Sequence, residues 1–142
     1  MLKQIDGFYQ LLGLAGQKDL VHGFSGRALG DMKIGENKRK FLGLLNLDPK
    51  DLVLMEQIHG NKVKVVGIGD KGKVLEGVDG LVTNEKDLVL GIKVADCLPV
   101  LLFSPRQKII GLAHAGWKGV VGGIVPNVLS KMVELGTEPK EV

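Results

Sequence analysis

Short apolar segments separated by glycine-containing turns recur along most of the chain, about every ten residues, and this rhythm limits the fold more than any other feature. It is typical of short strands joined by tight turns, with few long helices. The strand candidates, each bounded by Gly, Pro, Asn or Asp, are Leu52–Ile58, Lys62–Ile68, Gly80–Val82, Leu88–Val94, Val100–Ser104 and Lys108–Ala113. The sequence therefore predicts a β-rich α+β domain.

Two of these segments, Val89–Val94 and Val100–Phe103, lack the alternation of apolar and polar residues that marks a half-exposed strand. A continuous apolar run is typical of a strand that is buried on both faces. We therefore expect layers of structure on both sides of their sheet.

Two segments have helical periodicity. Asn37–Leu45 places its apolar residues on one side and ends before Asp48-Pro49. Gly119–Leu135 has apolar residues at steps of three and four and ends at Gly136. Pro126 inside the second segment predicts a kink or a late start, because proline is tolerated only in the first helical turn.

Composition and charge limit the class of protein. The 142 residues are 44% hydrophobic and 25% charged, which is typical of one globular domain over residues 1–142. The net charge of +3 comes from scattered residues, so no nucleic acid partner is expected. The apolar segment Phe8–Ala15 is too short to span a bilayer, so no membrane partner is expected either. The oligomeric state is left open.

Cys97 is the only cysteine, which forbids an internal disulfide. A free thiol suits the reducing cytoplasm, where it remains available for metal binding or catalysis. The chain ends at Val142, soon after the turn signal at Gly136, where a buried sheet would normally continue. We therefore expect the fold to be incomplete at its C-terminus.

Three residues with metal-binding side chains, His59, Cys97 and His114, each lie near a predicted strand end. One thiolate and two imidazoles suit zinc or copper. Their separations, 59 to 97 and 97 to 114, match no compact zinc finger, so tertiary structure must bring them together. Three ligands would leave a fourth position open for catalysis. Each residue alone also fits a structural role, Cys97 as a buried apolar side chain and the histidines as hydrogen-bonded turn residues.

His22, the remaining histidine, is interpreted as a structural turn residue and alternatively as a fourth ligand. Copper would permit a different fourth ligand. In a blue-copper site the three predicted ligands would be joined by an axial Met132. A multicopper centre needs more imidazoles than the three histidines of this chain provide.

Four ordered motifs, together with His22-Gly23-Phe24-Ser25 and Arg27 ahead of them, resemble the family long labelled multicopper polyphenol oxidase or laccase-like, whose members are described as purine nucleoside phosphorylases. The motifs are Gln57-Ile58-His59-Gly60, Val78-Asp79-Gly80-Leu81-Val82-Thr83, Ala95-Asp96-Cys97-Leu98-Pro99 and His114-Ala115-Gly116-Trp117-Lys118-Gly119. The resemblance implies a layered αββα sandwich with mixed β-sheets. Because members of the family are considerably longer, it also implies that this chain is the N-terminal part of a longer domain.

The same resemblance makes His59, Cys97 and His114 zinc ligands. It implies phosphorolysis of adenosine, inosine, guanosine or methylthioadenosine, and deamination of adenosine, with a purine nucleoside and phosphate as partners. Arg27 matches an arginine of the opening signature, and Asn37 matches an asparagine in the helix that follows.

Some positions depart from the family pattern. Gly26 replaces a common threonine, and Lys38 and Lys118 replace frequent arginines. The loop after Arg27 is also shorter than usual. Lysine cannot reproduce the planar fork of donors that arginine presents to phosphate, so the departures are expected to weaken phosphate contacts.

Roles can be assigned to the remaining site residues as hypotheses. Asp96 is the nearest carboxylate in the sequence for proton transfer or for orienting a histidine, and it also fits a turn. Arg27 and Lys118 would balance the charge of phosphate. Trp117 would stack on the base, or would act only as a packing anchor.

Three alternatives to the zinc enzyme remain open. The first is a copper-dependent polyphenol oxidase with Cu²⁺ in place of Zn²⁺. The second is a metal-free cysteine hydrolase, with Cys97 as nucleophile and His114 as base. The third is a non-catalytic fragment that binds a nucleoside or a partner protein.

Overall fold

The computed structural model describes all residues, 1–142, as two compact units, Met1–Pro49 and Lys50–Val142. The chain forms three sheets and four α-helices. The strands are β1 (Leu2–Ile5), β2 (Phe8–Leu11), β3 (Phe24–Ser25), β4 (Leu52–Met55), β5 (Val63–Val65), β6 (Val74–Leu75), β7 (Gly80–Thr83), β8 (Val89–Gly91), β9 (Leu98–Ser104) and β10 (Ile109–Ala115). The helices are α1 (Leu12–Ala15), α2 (Gly35–Leu44), α3 (Trp117–Val121) and α4 (Ile124–Glu134).

The first unit is a small antiparallel sheet with the order β1-β2-β3 and two helices. A tight turn joins β1 to β2, and Asp6 and Gly7 both have positive φ there, as a type I′ hairpin requires. The rings of Phe8 and Phe41 pack with centroids 6.2 Å apart. This contact attaches the apolar side of α2 to the sheet.

The second unit contains two sheets and α4 in layers. A mixed sheet has the order β5-β7-β10-β9, and a parallel sheet has the order β6-β4-β8. One apolar cluster includes Val53, Leu81 and Leu112 and joins the two sheets. A second cluster includes Ala113 and Val128 and packs α4 on the other face of the mixed sheet. The buried strand β10 therefore has structure on both faces.

Successive side chains of β10 point to opposite faces, as in any strand. Ala113 and Ala115 belong to the cluster under α4, and a Cβ at Gly111 would meet Val128 and Met132. Leu112 belongs to the cluster between the sheets. His114 shares the face of Leu112, because the two positions differ by two.

The predicted positions of the strands are confirmed, but the predicted burial of two of them is wrong. Every predicted strand segment contains a strand, but Val89, Leu90 and residues 100–102 are only partly buried. The reason is that β8 and β9 are edge strands of their sheets. The fully buried strand is β7.

The first helix prediction is confirmed, because α2 covers nearly the expected residues. The second predicted segment forms two helices, α3 and α4, separated by Gly122 and Gly123. Gly123 has a φ of 80°, a left-handed conformation that interrupts a helix. Pro126 lies in the first turn of α4. The prediction of a late helix start is therefore confirmed, and the alternative of a kink is not needed.

None of these helices is long and apolar enough to cross a membrane.

Candidate metal centre

The three predicted ligand residues meet in the second unit. The metal-binding atoms of His59, Cys97 and His114 all lie within 4.8 Å of one another. The two imidazole rings contact edge to face, with centroids 4.8 Å apart. Zinc bonds of about 2.0 to 2.3 Å in a tetrahedral site separate the ligand atoms by about 3.3 to 3.8 Å. Modest side-chain rotations therefore suffice to bring these atoms onto one ion.

The pairing of β9 with β10 places two of the three ligands together. The register pairs His114 with Pro99 and Ala115 with Leu98. One step further along, Cys97 lies opposite Gly116. His114 is buried, at 3% exposure, and Cys97 is half-buried.

His59 reaches the same place from the turn between β4 and β5. Its φ of 61° is left-handed, which is uncommon for a residue with a side chain. The preceding Gln57 binds the backbone of Lys93, with its Nε2 donating to the carbonyl and its Oε1 accepting from the N–H. These two bonds attach the turn of His59 to the segment that leads into Cys97.

Asp79 lies beneath this turn and is fully buried. Its Oδ1 lies 2.8 Å from Nδ1 of His114 and accepts the N–H of His59 at 3.0 Å. Its Oδ2 accepts the N–H of Gly60 at 2.8 Å and of Ile58 at 3.2 Å. Four donors thus converge on one carboxylate.

Burial is the largest influence on the pKa of Asp79 and acts to raise it, because a buried carboxylate loses its hydration. Together, the hydrogen bonds from His114 and from the three backbone N–H groups lower the pKa by more than burial raises it. They hold the pKa of this carboxyl below its usual value. Asp79 is therefore ionised at neutral pH.

Gly116 provides space among the ligands. A Cβ at this position would lie 3.1 Å from Sγ of Cys97, 3.1 Å from Cδ2 of His59 and 3.9 Å from Cε1 of His114. The absent side chain leaves room on the side where the three ligands meet. Thiolate and imidazole ligands around such a space fit a zinc or copper ion.

The other predicted site residues of the second unit lie beside the ligands in sequence. Asp96 is exposed in the segment before β9. Trp117 begins α3 with 73% of its surface exposed, and Nζ of Lys118 lies 5.7 Å from the centroid of its ring. This exposure contradicts the interpretation of Trp117 as a packing anchor, because its ring is largely open to solvent.

Arg27 and Asn37 lie in the first unit. Arg27 is exposed and begins a short 3₁₀ turn, Arg27–Leu29. Asn37 lies in α2, and its Nδ2 donates to the carbonyl oxygen of Asp31 at 2.9 Å. A Cβ at Gly30 would lie 2.7 Å from this nitrogen, so Asn37 packs closely on that glycine.

His22 also belongs to the first unit and is buried. Its Nε2 accepts the N–H of Leu11 at 2.9 Å, and only an unprotonated nitrogen can do so. This bond agrees with a structural role for His22. Met132 cannot serve as the axial copper ligand, because it belongs to α4 and packs on the face of β10 opposite His114.

We predict that His22 makes the protein less stable in mild acid. Burial lowers the pKa of His22 in the folded protein. The unfolded chain takes up a proton near the usual pKa of about 6.5, so stability is complete above that pH and declines as the pH falls towards the lower folded pKa. Urea unfolding at about pH 7.5 and about pH 5.5 measures this decline. A His22→Gln variant keeps an acceptor for Leu11 and should lose this part of the pH dependence; an equal decline in both proteins would contradict the prediction.

Sequence reasoning missed Asp79 as a site residue, although it had singled out the segment around it. The available signal was an acidic residue directly before the apolar strand β7, where burial of a carboxylate requires several donors. Gly116 and Gln57 were also missed as site residues.

The chain has relatives among known proteins. A family model described as multi-copper polyphenol oxidoreductase laccase matches residues 25–142. The chain belongs to this family. A purine nucleoside phosphorylase of Corynebacterium glutamicum is 38% identical over 110 residues, which are 77% of this chain and 45% of that protein. The adenosine deaminase RL5 of an unknown prokaryotic organism is 32% identical over 148 residues, covering 94% of this chain and 56% of that protein.

A solved structure shares the fold. The crystal structure of YlmD from Geobacillus stearothermophilus matches with a TM-score of 0.76 and 28% identity. The match covers 99% of this chain and 60% of that chain. The chain thus spans about half the length of these members of its family.

Proposed function

We propose that this chain carries the zinc centre of a purine nucleoside phosphorylase that also deaminates adenosine. The substrates would be adenosine, inosine, guanosine and methylthioadenosine, with phosphate as second substrate. The observation that carries the proposal is the meeting of His59, Cys97 and His114 around the space left by Gly116. The names of the relatives, purine nucleoside phosphorylase and adenosine deaminase, suggest the reactions.

Zinc is the metal we propose, and copper is the alternative. One thiolate and two imidazoles hold zinc with a fourth position free for water or a substrate oxygen. Zinc held by His59, Cys97 and His114 would supply Lewis-acid chemistry at that position. A multicopper centre is disfavoured because the chain has three histidines in all, and the Nε2 of His22 is already occupied by Leu11.

Phosphorolysis breaks the bond between C1′ of the ribose and the base, and a phosphate oxygen forms the new bond to C1′. The departing base needs a proton. We propose Asp96 for this proton transfer, since it is exposed next to Cys97. Deamination replaces the amino group of adenosine with a water oxygen and releases ammonia, which also requires proton transfer.

Substrate contacts are proposed for four residues. The exposed ring of Trp117 offers a face for stacking on the purine. Lys118, held over that ring, offers one positive charge for phosphate. Arg27 and Asn37 are proposed as further substrate-binding residues because they match the opening signature and following helix of the family.

The finer architecture is also part of the proposal. The second unit shows two packed sheets with α4 on one of them. We propose that these layers belong to an αββα sandwich and that residues 1–142 form the N-terminal part of one longer domain. A cytoplasmic location suits a zinc-binding thiolate, because a reducing compartment keeps it from forming disulfides.

The test is to purify the chain, measure bound metal, and incubate it with adenosine with and without phosphate. We expect about one zinc per chain, phosphate-dependent release of adenine, and phosphate-independent formation of inosine. A chelator should abolish both reactions and added zinc should restore them. Metal-free protein that leaves adenosine unchanged would refute the proposal.

Other results would favour the alternatives. Intense colour on copper loading, with oxidation of phenols, would favour the copper oxidase. Hydrolysis that thiol alkylation blocks and chelators do not affect would favour the cysteine hydrolase. Zinc-bound protein that binds a nucleoside without converting it would favour a non-catalytic fragment.

A further inference from the structure

We propose that Asp79 is a positioning residue that sets the orientation of both histidine ligands. The inference rests on the metal centre of the proposed function. It names the residue that would orient two of its ligands before an ion binds. It is carried by the four hydrogen bonds at one fully buried carboxylate.

The first consequence concerns the proton on the imidazole of His114. Both oxygens of Asp79 already accept backbone N–H groups, so the carboxylate faces His114 as an acceptor, and Nδ1 of His114 carries the proton that lies between it and Oδ1. The other ring nitrogen, Nε2, then keeps its lone pair for a metal. The backbone reinforces the position, since the N–H of His114 donates to the carbonyl oxygen of Asp79 at 2.8 Å. Asp79 therefore holds this ligand at two points.

The second consequence concerns the turn of His59. Three consecutive N–H groups, those of Ile58, His59 and Gly60, point at the carboxylate. Successive N–H groups in a turn form a concave site for an anion. Here Asp79 supplies the anion from within the chain, and it compensates the uncommon left-handed conformation of His59. The direction of the His59 side chain thus depends on this carboxylate.

The third ligand, Cys97, is not among the hydrogen-bond partners of Asp79, and the register of β9 with β10 places it instead. The centre therefore has two independent supports. One is the strand pairing that places Cys97 beside His114, and the other is the carboxylate that aligns the two histidines. Only the second depends on the side chain of Asp79.

Replacing Asp79 by asparagine tests the proposal. Asparagine offers one acceptor oxygen and one donor NH₂ group. The NH₂ group would then replace one of the two carboxylate oxygens. It would lie opposite the donors of His114 and His59 in one orientation, or opposite the N–H groups of Ile58 and Gly60 in the other. We expect the Asp79→Asn variant to bind zinc about 10- to 100-fold more weakly in a chelator competition, the loss usual for an outer-shell partner.

Asp70→Asn is the matched control. Asp70 is another carboxylate of the second unit that accepts a backbone N–H, from Gly67, and pairs with Lys64 and Lys73. It belongs to no ligand cluster. The control should leave zinc affinity within about twofold of the unmodified protein, a change well below that of an outer-shell loss.

A second measurement does not depend on zinc or on the folding of the variant. Nitrogen-15 NMR of the metal-free, unmodified protein reports which ring nitrogen of His114 carries the proton. We expect the proton on Nδ1 in the unmodified protein and in Asp70→Asn, and a mixture of tautomers in Asp79→Asn. A proton on Nε2 in the unmodified protein would overturn the proposal.

An equal zinc affinity of the Asp79→Asn and Asp70→Asn variants would also overturn it. Failure of the proposed function gives a different pattern. An unmodified protein that binds no zinc, yet protonates His114 at Nδ1, would refute the metal centre and leave the placement of His114 by Asp79 supported.

Discussion

The Cys97→Ala variant is expected to lose stoichiometric zinc, because it removes the only thiolate of the centre. Two imidazoles would remain, and one of them, His59, lies on an exposed turn. We expect zinc affinity to fall by more than the roughly 10- to 100-fold that loss of an outer-shell partner costs. Chelator competition and direct metal analysis of the purified variant measure the effect.

Val94→Ala is a suitable control for this variant. Val94 lies three positions before Cys97 in the same segment, is 41% exposed and offers no ligand atom. It should retain zinc fully, so a loss confined to Cys97→Ala assigns the effect to the sulfur. Equal zinc binding in both variants would show that Cys97 is not a ligand. Nucleoside conversion should fall together with zinc content if the metal supplies the catalysis.

Much of the second unit could be predicted because its strands are apolar and its turns carry glycine. The limits of the strands could not be predicted. The segment Leu52–Ile58 was expected to be one strand, but β4 ends at Met55. Residues 57–60 leave the strand because their hydrogen-bond partners, Lys93 and Asp79, are distant in sequence. No local pattern contains that information.

The first unit was harder to predict. The strands β1 and β2 have mainly exposed or half-buried residues, so their apolar pattern is weak. The turn pair Asp6-Gly7 was the usable signal, since it favours a two-residue hairpin. The strands β3 and β6 have two residues each, too short for any periodicity to appear.

The ligand residues of the candidate centre could be identified from residue type and motif. The residue that positions the two histidines, Asp79, could not. Histidine and cysteine attract notice because of their chemistry. Asp79 is one of many acidic residues, and only its burial and its four donors distinguish it. Those properties arise when the turn after β4, the start of β7 and the end of β10 meet. The support of a centre is thus a property of tertiary structure.

Filling the space at Gly116 is expected to disturb the centre without removing any ligand. Its φ of −72° and ψ of 162° are accessible to every residue with a side chain, so a substitution adds volume and little backbone strain. In Gly116→Ala, the new Cβ would lie 3.1 Å from both Cys97 Sγ and His59 Cδ2, and these neighbours must move by a few tenths of an ångström. In Gly116→Val, the additional methyl groups would extend further among the ligands.

We expect zinc affinity to fall by about 10-fold in Gly116→Ala and further in Gly116→Val, a range comparable to outer-shell losses. Activity should fall more steeply, because a misplacement of about 1 Å at a reacting centre can cost about 100-fold in rate. Gly67→Ala is the control, since a Cβ there meets nothing within 4 Å. Visible spectra of the cobalt-loaded variants would report the distorted coordination directly. Spectra, affinity and activity that all equal those of the control would show that the open side of the centre lies away from Gly116.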